Sequence, residues 1–116
     1  AFGTGQHATT AGCLEMLDRM LIAGERPRRV VDVGTGTGLL AFAARGLWPA
    51  AEVTASDIDP ICETVLRDNA ELNDAALGVD PGQIAYVTAA GLDHPFLRAR
   101  APYDLLIANI LAGPLI

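Results

Sequence analysis

Three glycines within five residues, Gly34-Thr35-Gly36-Thr37-Gly38, constrain the fold of this chain more than any other feature. They follow a β-branched run from Arg29 to Val33 that predicts a short buried strand, and they precede an apolar run from Leu39 to Leu47 that predicts a helix. Glycine lets the backbone approach a ligand closely, and a helix N-terminus presents free N–H groups. A strand, a glycine-rich turn and a helix in this order are typical of nucleotide-binding α/β domains.

The rest of the chain repeats this alternation of strands and helices. Thr9 and Thr10 precede leucines at positions 14, 17 and 21, a spacing that predicts an amphipathic helix ending near Gly24. Further strands are predicted at 53–56, 84–88 and 105–108, a helix at 60–73, and loops at 1–7 and 78–82. Between the last two strands we expect a loop or a short helix, with His94-Pro95 forming a turn. This order predicts one α/β domain over residues 1–116, with a Rossmann-like, doubly wound and mostly parallel sheet.

The composition is that of a packed, acidic domain. Hydrophobic residues make up 51% of the chain, and its net charge is −6. Such a chain lacks the basic surface that binds nucleic acid, so no direct nucleic-acid partner is expected. No apolar run reaches the ~18 residues of a membrane span, and the N-terminal residues do not read as a signal peptide. We therefore expect a cytoplasmic protein with reduced thiols, in which Cys13 and Cys62 are small buried residues of helices.

Two carboxylates accompany the glycine turn. Asp57 closes the second predicted strand, 19 residues after Gly38, where a carboxylate can accept hydrogen bonds from the ribose hydroxyls of an adenosine-containing ligand. Asp59, next to Pro60, is the better cap for the following helix, which leaves Asp57 for the ligand. Asp32 lies inside the first strand, where burial is costly unless it is paired. A ligand ammonium reached through water and a structural partner are both open interpretations of Asp32.

The two ends of the chain carry its most specific motifs. Residues 1–10 read Ala-Phe-Gly-Thr-Gly-Gln-His-Ala-Thr-Thr, and residues 108–115 read Ala-Asn-Ile-Leu-Ala-Gly-Pro-Leu. Together with the stretches at 31–40 and 56–60 and the asparagines at 69 and 73, they resemble the PrmA family, the methyltransferases that modify ribosomal protein L11. The resemblance covers essentially the whole chain. It implies a class I methyltransferase core, S-adenosylmethionine as cofactor, and a cytoplasmic enzyme that trimethylates lysine side chains and the N-terminal amine of a ribosomal protein.

The same resemblance assigns roles to individual residues. Cofactor contacts fall on Thr10 at the methionine end, on Gly34 in the turn, on Asp57 at the ribose and on Asn109. Gly36 of the same turn and Asp32 behind it are further candidate cofactor contacts, from their positions in the sequence. Asn109 would lie beside the reacting methyl group and act as the catalytic residue, although a turn residue at the end of a strand is the alternative. Phe2 and His7 would belong to a loop that closes over the cofactor. No metal ligand set is expected, because His7 and His94 lack neighbours at ligand spacing.

Some features depart from the family pattern or leave other functions open. The family has a substrate-recruiting domain and later strands, so the core is expected to be incomplete on its C-terminal side, with 105–108 as an unprotected edge strand. A nicotinamide-dependent oxidoreductase shares the glycine turn and the acid, but its third glycine comes one residue later. A methyltransferase for another protein or a small-molecule amine, and a binding domain without catalysis, are the remaining alternatives. The oligomeric state is not predicted.

Overall fold

Helices and strands alternate along the whole described part of the chain. The structure is a computed structural model that describes residues 4–108, with side chains from Thr10 onward. Its elements are α1 (Thr4–Ile22), β1 (Arg29–Val33), α2 (Leu39–Leu47), β2 (Glu52–Asp57), α3 (Ile61–Leu72), β3 (Ile84–Thr88), α4 (Pro95–Arg100) and β4 (Leu105–Ala108). None of the helices within residues 4–108 combines the length and apolar character that a membrane crossing requires.

The four strands form one parallel sheet in the order β3-β2-β1-β4. This confirms the predicted fold class, with the first strand inside the sheet and the fourth on the opposite side from the second and third. Val33, the last residue of β1, pairs with Ser56 of β2 and with Ala108 of β4. The carboxyl ends of these strands therefore meet at one edge, which is where ligands bind in open α/β sheets.

Helices cover both faces of the sheet. Neighbouring residues of β1 point to opposite faces, so the strand contributes side chains to a core on each side. Val30 packs in a large core with Leu17 of α1, Leu40 of α2 and Leu66 of α3. Val31 packs on the other face with Leu97 of α4. On that second face, Arg100 of α4 donates to Thr54 Oγ1 of β2 at 2.9 Å and so ties the helix to the sheet. The core thus holds β1 rigidly and fixes the turn that follows it.

Three local predictions were wrong. The first helix begins at Thr4, so residues 4–7 are helical rather than a loop. His94-Pro95 begins α4 instead of a loop turn, because His94 Nδ1 accepts a hydrogen bond from the amide of Phe96 at 3.0 Å and Pro95 occupies the first helical turn. The two cysteines are only partly buried. Strand β2 is also one residue longer at each end than predicted.

Candidate functional site

The turn between β1 and α2 depends on glycine at all three glycine positions. Gly34, Gly36 and Gly38 have φ values of 73°, 58° and 88°, in the left-handed region that other residues rarely adopt. A Cβ on Gly36 would meet nothing within 4 Å, so the space beside it is open. A Cβ on Gly38 would lie 2.9 Å from side-chain atoms of both Leu66 and Phe42. Gly36 therefore leaves room at the site, whereas Gly38 allows α2 to pack closely against α3.

Four of the five amides of the turn are hydrogen-bonded within the protein itself. The N–H groups of Gly34 and Thr35 both donate to the carbonyl of Ser56, at 2.8 and 2.9 Å. The amide of Gly36 donates to Asp57 Oδ2 at 3.0 Å, and that of Gly38 donates to the carbonyl of Thr35 at 2.9 Å. Gly34 and Gly36 thus contribute a backbone shape to the site rather than free N–H donors.

Asp57 joins the end of β2 to the glycine turn. Its Oδ2 accepts from the amide of Gly36 at 3.0 Å, and its Oδ1 accepts from the amide of Asp59 at 3.1 Å. Asp59 in turn accepts from the amide of Ile61, the first residue of α3, at 3.1 Å. The predicted cap is one residue off, because Pro60 rather than Asp59 occupies the cap position of α3. The Cys62 thiol is a third hydrogen-bond donor to Asp57. A carboxylate has about four lone-pair positions, so the half-buried Asp57 keeps an acceptor position for a ligand hydroxyl.

Asp32 is buried directly beneath the turn. Its side chain is 1% exposed, and its Oδ2 accepts a hydrogen bond from Thr35 Oγ1 at 2.8 Å. Burial raises the pKa of Asp32 from 3.8 to about 6, helped by the charge of Asp57 and opposed by the Thr35 hydroxyl and the backbone at Ala41. Asp32 Oδ1 has no hydrogen-bond partner among residues 10–108. Thr35 is thus a structural partner of Asp32, and the second carboxylate oxygen of Asp32 is left without a hydrogen bond among these residues.

Residues of α3, and Ile58 in the loop before it, had no predicted role and complete the surroundings of the site. Asn69 Nδ2 donates to the carbonyl of Thr37 at 2.8 Å and so holds the turn against α3. The thiol of Cys62 lies next to Asp57, and burial together with the charge of Asp57 and a hydrogen bond to it raises the pKa of Cys62 to about 11. Ile58, which follows Asp57, is 72% exposed and offers an apolar surface. The sequence signalled only Asn69, through its place in the family motif.

The predicted site residues fall into three groups. Gly34, Gly36, Asp32 and Asp57 converge at the carboxyl ends of β1 and β2. Thr10 is half-buried in α1. Phe2 and Asn109, and the side chain of His7, lie outside the described residues. The roles predicted for these three residues therefore remain predictions.

An adenosine cofactor with a cationic amino-acid end fits the residues that are present. The space beside Gly36 is open, and Asp57 keeps an acceptor position for a ribose hydroxyl. The unpartnered oxygen of Asp32 is an anionic group that a nearby ammonium would stabilise. Within residues 10–108, no group of three or more His, Cys, Asp or Glu side chains has the arrangement of a metal site. A cavity of about 410 Å³ near Trp48 lies at the amino ends of the strands, away from these residues.

Comparison with known proteins identifies the family. A sequence model described as ribosomal protein L11 methyltransferase (PrmA) matches residues 1–116, the whole chain. The chain belongs to this family. Ribosomal protein L11 methyltransferases from Brucella suis and from a Chelativorans species are each 47% identical over 116 residues, which is all of this chain and 38% of each relative. The chain thus spans well under half the length of these relatives.

Solved structures agree with the family assignment. The crystal structure of the ribosomal protein L11 methylase from Lactobacillus delbrueckii subsp. bulgaricus is 35% identical, has a TM-score of 0.68, and is matched over 94% of this chain and 50% of that one. An S-adenosylmethionine-dependent methyltransferase from Agrobacterium tumefaciens, 21% identical with a TM-score of 0.66, has the same fold over 86% of this chain and 31% of that one. S-adenosylmethionine is the cofactor of the PrmA family, as the sequence predicted.

Proposed function

We propose that the protein carrying this chain is an S-adenosylmethionine-dependent methyltransferase that modifies ribosomal protein L11 in the cytoplasm. Its targets are the lysine side chains and the N-terminal amine of that protein. Family membership and 47% identity to L11 methyltransferases support the substrate. The observation that carries the reaction type is the buried carboxylate of Asp32 behind a glycine turn in which four of the five amides are already hydrogen-bonded.

This arrangement favours a cationic cofactor over a dinucleotide. A dinucleotide places its pyrophosphate on free N–H groups at a helix N-terminus. In this chain the amides of Gly34, Thr35, Gly36 and Gly38 already have partners within the protein. The carboxylate of Asp32 also lies at this position, and a second anion beside it would be repelled. An ammonium and a sulfonium, the two cations of S-adenosylmethionine, meet a favourable field instead.

The chain's own residues bind and orient the reactants. S-adenosylmethionine, when bound, would supply a methyl group on a sulfonium sulfur, and the S–C bond breaks to release the neutral thioether S-adenosylhomocysteine. Asp57 binds the ribose hydroxyls, and the turn fixes the position of the cofactor along β1. Alignment of the amine with the methyl carbon, and exclusion of water, are then the main requirements for an in-line displacement.

The attacking amine must be neutral, and this sets the role that we propose for Asn109. Deprotonating a lysine with a pKa near 10.4 at pH 7 costs about 4–5 kcal/mol, and a neutral, poorly solvated site reduces this cost. An amide oxygen can accept a hydrogen bond from the amine and direct its lone pair without adding a charge that favours the ammonium form. An aspartate in the same place would stabilise the unreactive cation.

Two measurements test the proposed function. Calorimetry is expected to show binding of S-adenosylmethionine or S-adenosylhomocysteine and not of NADH, and tighter binding of NADH would refute the reaction type. Mass spectrometry of L11 after incubation with the natural protein and cofactor is expected to show methyl groups on lysines and on the N-terminal amine. Methylation of a different protein or of a small amine in the same assay, with L11 unchanged, would refute the substrate alone.

The role of Asn109 has its own test. Asn109→Ala is expected to lower the single-turnover methylation rate at saturating cofactor more than it weakens cofactor affinity, because the amide orients the amine. If Asn109→Ala weakened cofactor affinity and left the single-turnover methylation rate unchanged, Asn109 would be a binding residue only.

A further inference from the structure

The outward surface of α3 and the residues that flank it combine exposed apolar side chains with a cluster of acidic residues. Ile61, Val65 and Leu72 recur at a spacing that places them in one stripe on the helix. Ile61 is 64% exposed and Leu72 is 84% exposed, whereas Leu66 and Ala70 on the other side of α3 are buried. Burial of such exposed leucine and isoleucine side chains against a partner would be favourable in free energy.

Acidic residues surround this stripe. Residues 59–74 contain five acidic residues and one arginine, so most of the chain's net charge of −6 lies in this segment. Arg67 is paired with Glu63 at 2.9 Å. No ion pair is found for the other four acidic residues among the described side chains; these are Asp59, Asp68, Glu71 and Asp74. We call the stripe and these four carboxylates the acidic face of α3.

Two of these acids lie where they are unfavourable to the isolated chain. Glu71 is in the last turn of α3, which contains no basic residue, and a negative charge there opposes the helix dipole. Asp74 follows the helix with a φ of 54°, a left-handed position that glycine or asparagine fills at lower cost. A bound cationic partner would offset the charge at the end of α3.

We infer that the acidic face of α3 docks a basic segment of the protein substrate that presents apolar side chains between its lysines or arginines. The inference rests on the proposed function for the identity of that substrate. Nucleic acid and anionic membranes are excluded because this face would repel their phosphates. A second copy of the chain is disfavoured, because a symmetric contact would bring the same carboxylates together. The face begins two residues after Asp57, so it is continuous with the cofactor site.

The test measures binding separately from methylation. Fluorescently labelled ribosomal protein L11 is titrated with the natural protein that carries this chain, with S-adenosylhomocysteine present so that no methyl group is transferred. The variants are Val65→Ser/Leu72→Ser and the charge-neutralising pair Asp68→Asn/Glu71→Gln. The matched control is Ile22→Ser/Glu15→Gln on α1, where Ile22 is 85% exposed.

Each α3 variant is expected to weaken L11 binding about tenfold, a change of about 1.4 kcal/mol, while the control binds like the parent. The charge-neutralising pair is also expected to reduce the salt dependence of binding. Affinity of the cofactor is expected to stay unchanged in every variant, which checks that the site is folded.

The possible outcomes separate this inference from the proposed function. Unchanged L11 affinity in both α3 variants would overturn the docking surface, even if the parent methylates L11. Binding through α3 without any methyl transfer by the parent would refute the function and leave the docking surface. An altered oligomeric state with L11 affinity kept would assign the face to a contact between copies instead. A parent that does not bind L11 at all would overturn both.

Discussion

Asp57 accepts hydrogen bonds from the amides of Gly36 and Asp59 and from the Cys62 thiol, and its ligand would bind at the acceptor position that these leave. The position of Asp57 after a strand was enough to predict a ribose-binding acid. Its hydrogen bond to Gly36 was not predictable, because it depends on the left-handed conformation of the turn. Removal of this carboxylate should therefore affect both the ligand and the turn.

Asp57→Ala is expected to weaken S-adenosylmethionine binding by about 1.5–3 kcal/mol, the usual contribution of hydrogen bonds to a charged group. Calorimetry on the natural protein measures this change. Asp80→Ala is the control, because Asp80 is exposed in the loop before β3. If Asp57→Ala weakened S-adenosylmethionine binding no more than Asp80→Ala does, Asp57 would be excluded from the cofactor site.

Asp32 makes the stability of the domain depend on pH in an unusual direction. The pKa of Asp32 in the folded chain is about 6, above the ordinary value of 3.8, because burial disfavours the charged form. The protonated carboxyl is therefore favoured by folding. Its contribution to the free energy of unfolding is fully present below pH 3.8 and is lost as the pH rises through about 6. At neutral pH the buried charge is a cost of about 3 kcal/mol, since each pKa unit is worth about 1.4 kcal/mol.

Asp32→Asn is expected to raise the free energy of unfolding at pH 8 by up to about 3 kcal/mol, because it removes the buried charge and keeps an oxygen for Thr35. The gain should disappear near pH 4. Urea unfolding at both pH values measures it, with the exposed Asp18→Asn as control. A variant that is less stable than the parent at pH 8 would show that the charge has a stabilising partner outside residues 10–108.

Among the elements, α2 begins where it does because of Gly38. Its φ of 88° and the contact that a Cβ would make with Leu66 and Phe42 both require glycine. Gly46, inside the same helix, has no atom within 4 Å of a Cβ position. The two glycines therefore provide a matched pair.

Gly38→Ala is expected to destabilise the fold by about 2–4 kcal/mol through strain and overpacking. Gly46→Ala is expected to stabilise it by about 0.5–1 kcal/mol, because alanine favours the helix. Urea unfolding of both variants measures the difference. Equal effects of the two substitutions would contradict the close packing of α2 on α3.

The strands were the most predictable elements, and helix starts were the least. Buried parallel strands are rich in β-branched apolar residues, and the three valines of β1 make it visible in the sequence despite Asp32. The start of α1 was misplaced, because the glycines around Thr4 argue against a helix on propensity alone. The cap of α4 was missed, because it depends on a single contact from His94 Nδ1. Side-chain contacts of this kind are set by the folded geometry and leave no periodic pattern.

At the scale of the whole molecule, β4 is an edge of the sheet within the described residues. It pairs with β1 alone, and its four residues, Leu105–Ala108, include no charge and no proline. Leu106 is 50% exposed and lies in register with Val31, on the face that α4 covers only in part. The sequence predicted this unprotected edge through the strand order of the methyltransferase class that it resembles, in which the fourth strand lies beside the first. Natural edge strands usually carry charges, prolines or bulges that prevent pairing with other chains.

Residues 1–116 expressed alone are therefore expected to self-associate through β4, which sedimentation velocity measures as an increase in mass with concentration. Leu106→Lys is expected to keep the chain monomeric, because a charge on an edge strand opposes pairing. Ile22→Lys, which places the same charge at an exposed apolar position of α1, should associate like the parent. If the parent were monomeric at all concentrations, with slow amide exchange along both sides of β4, the strand would already be covered within the chain and the prediction would be wrong.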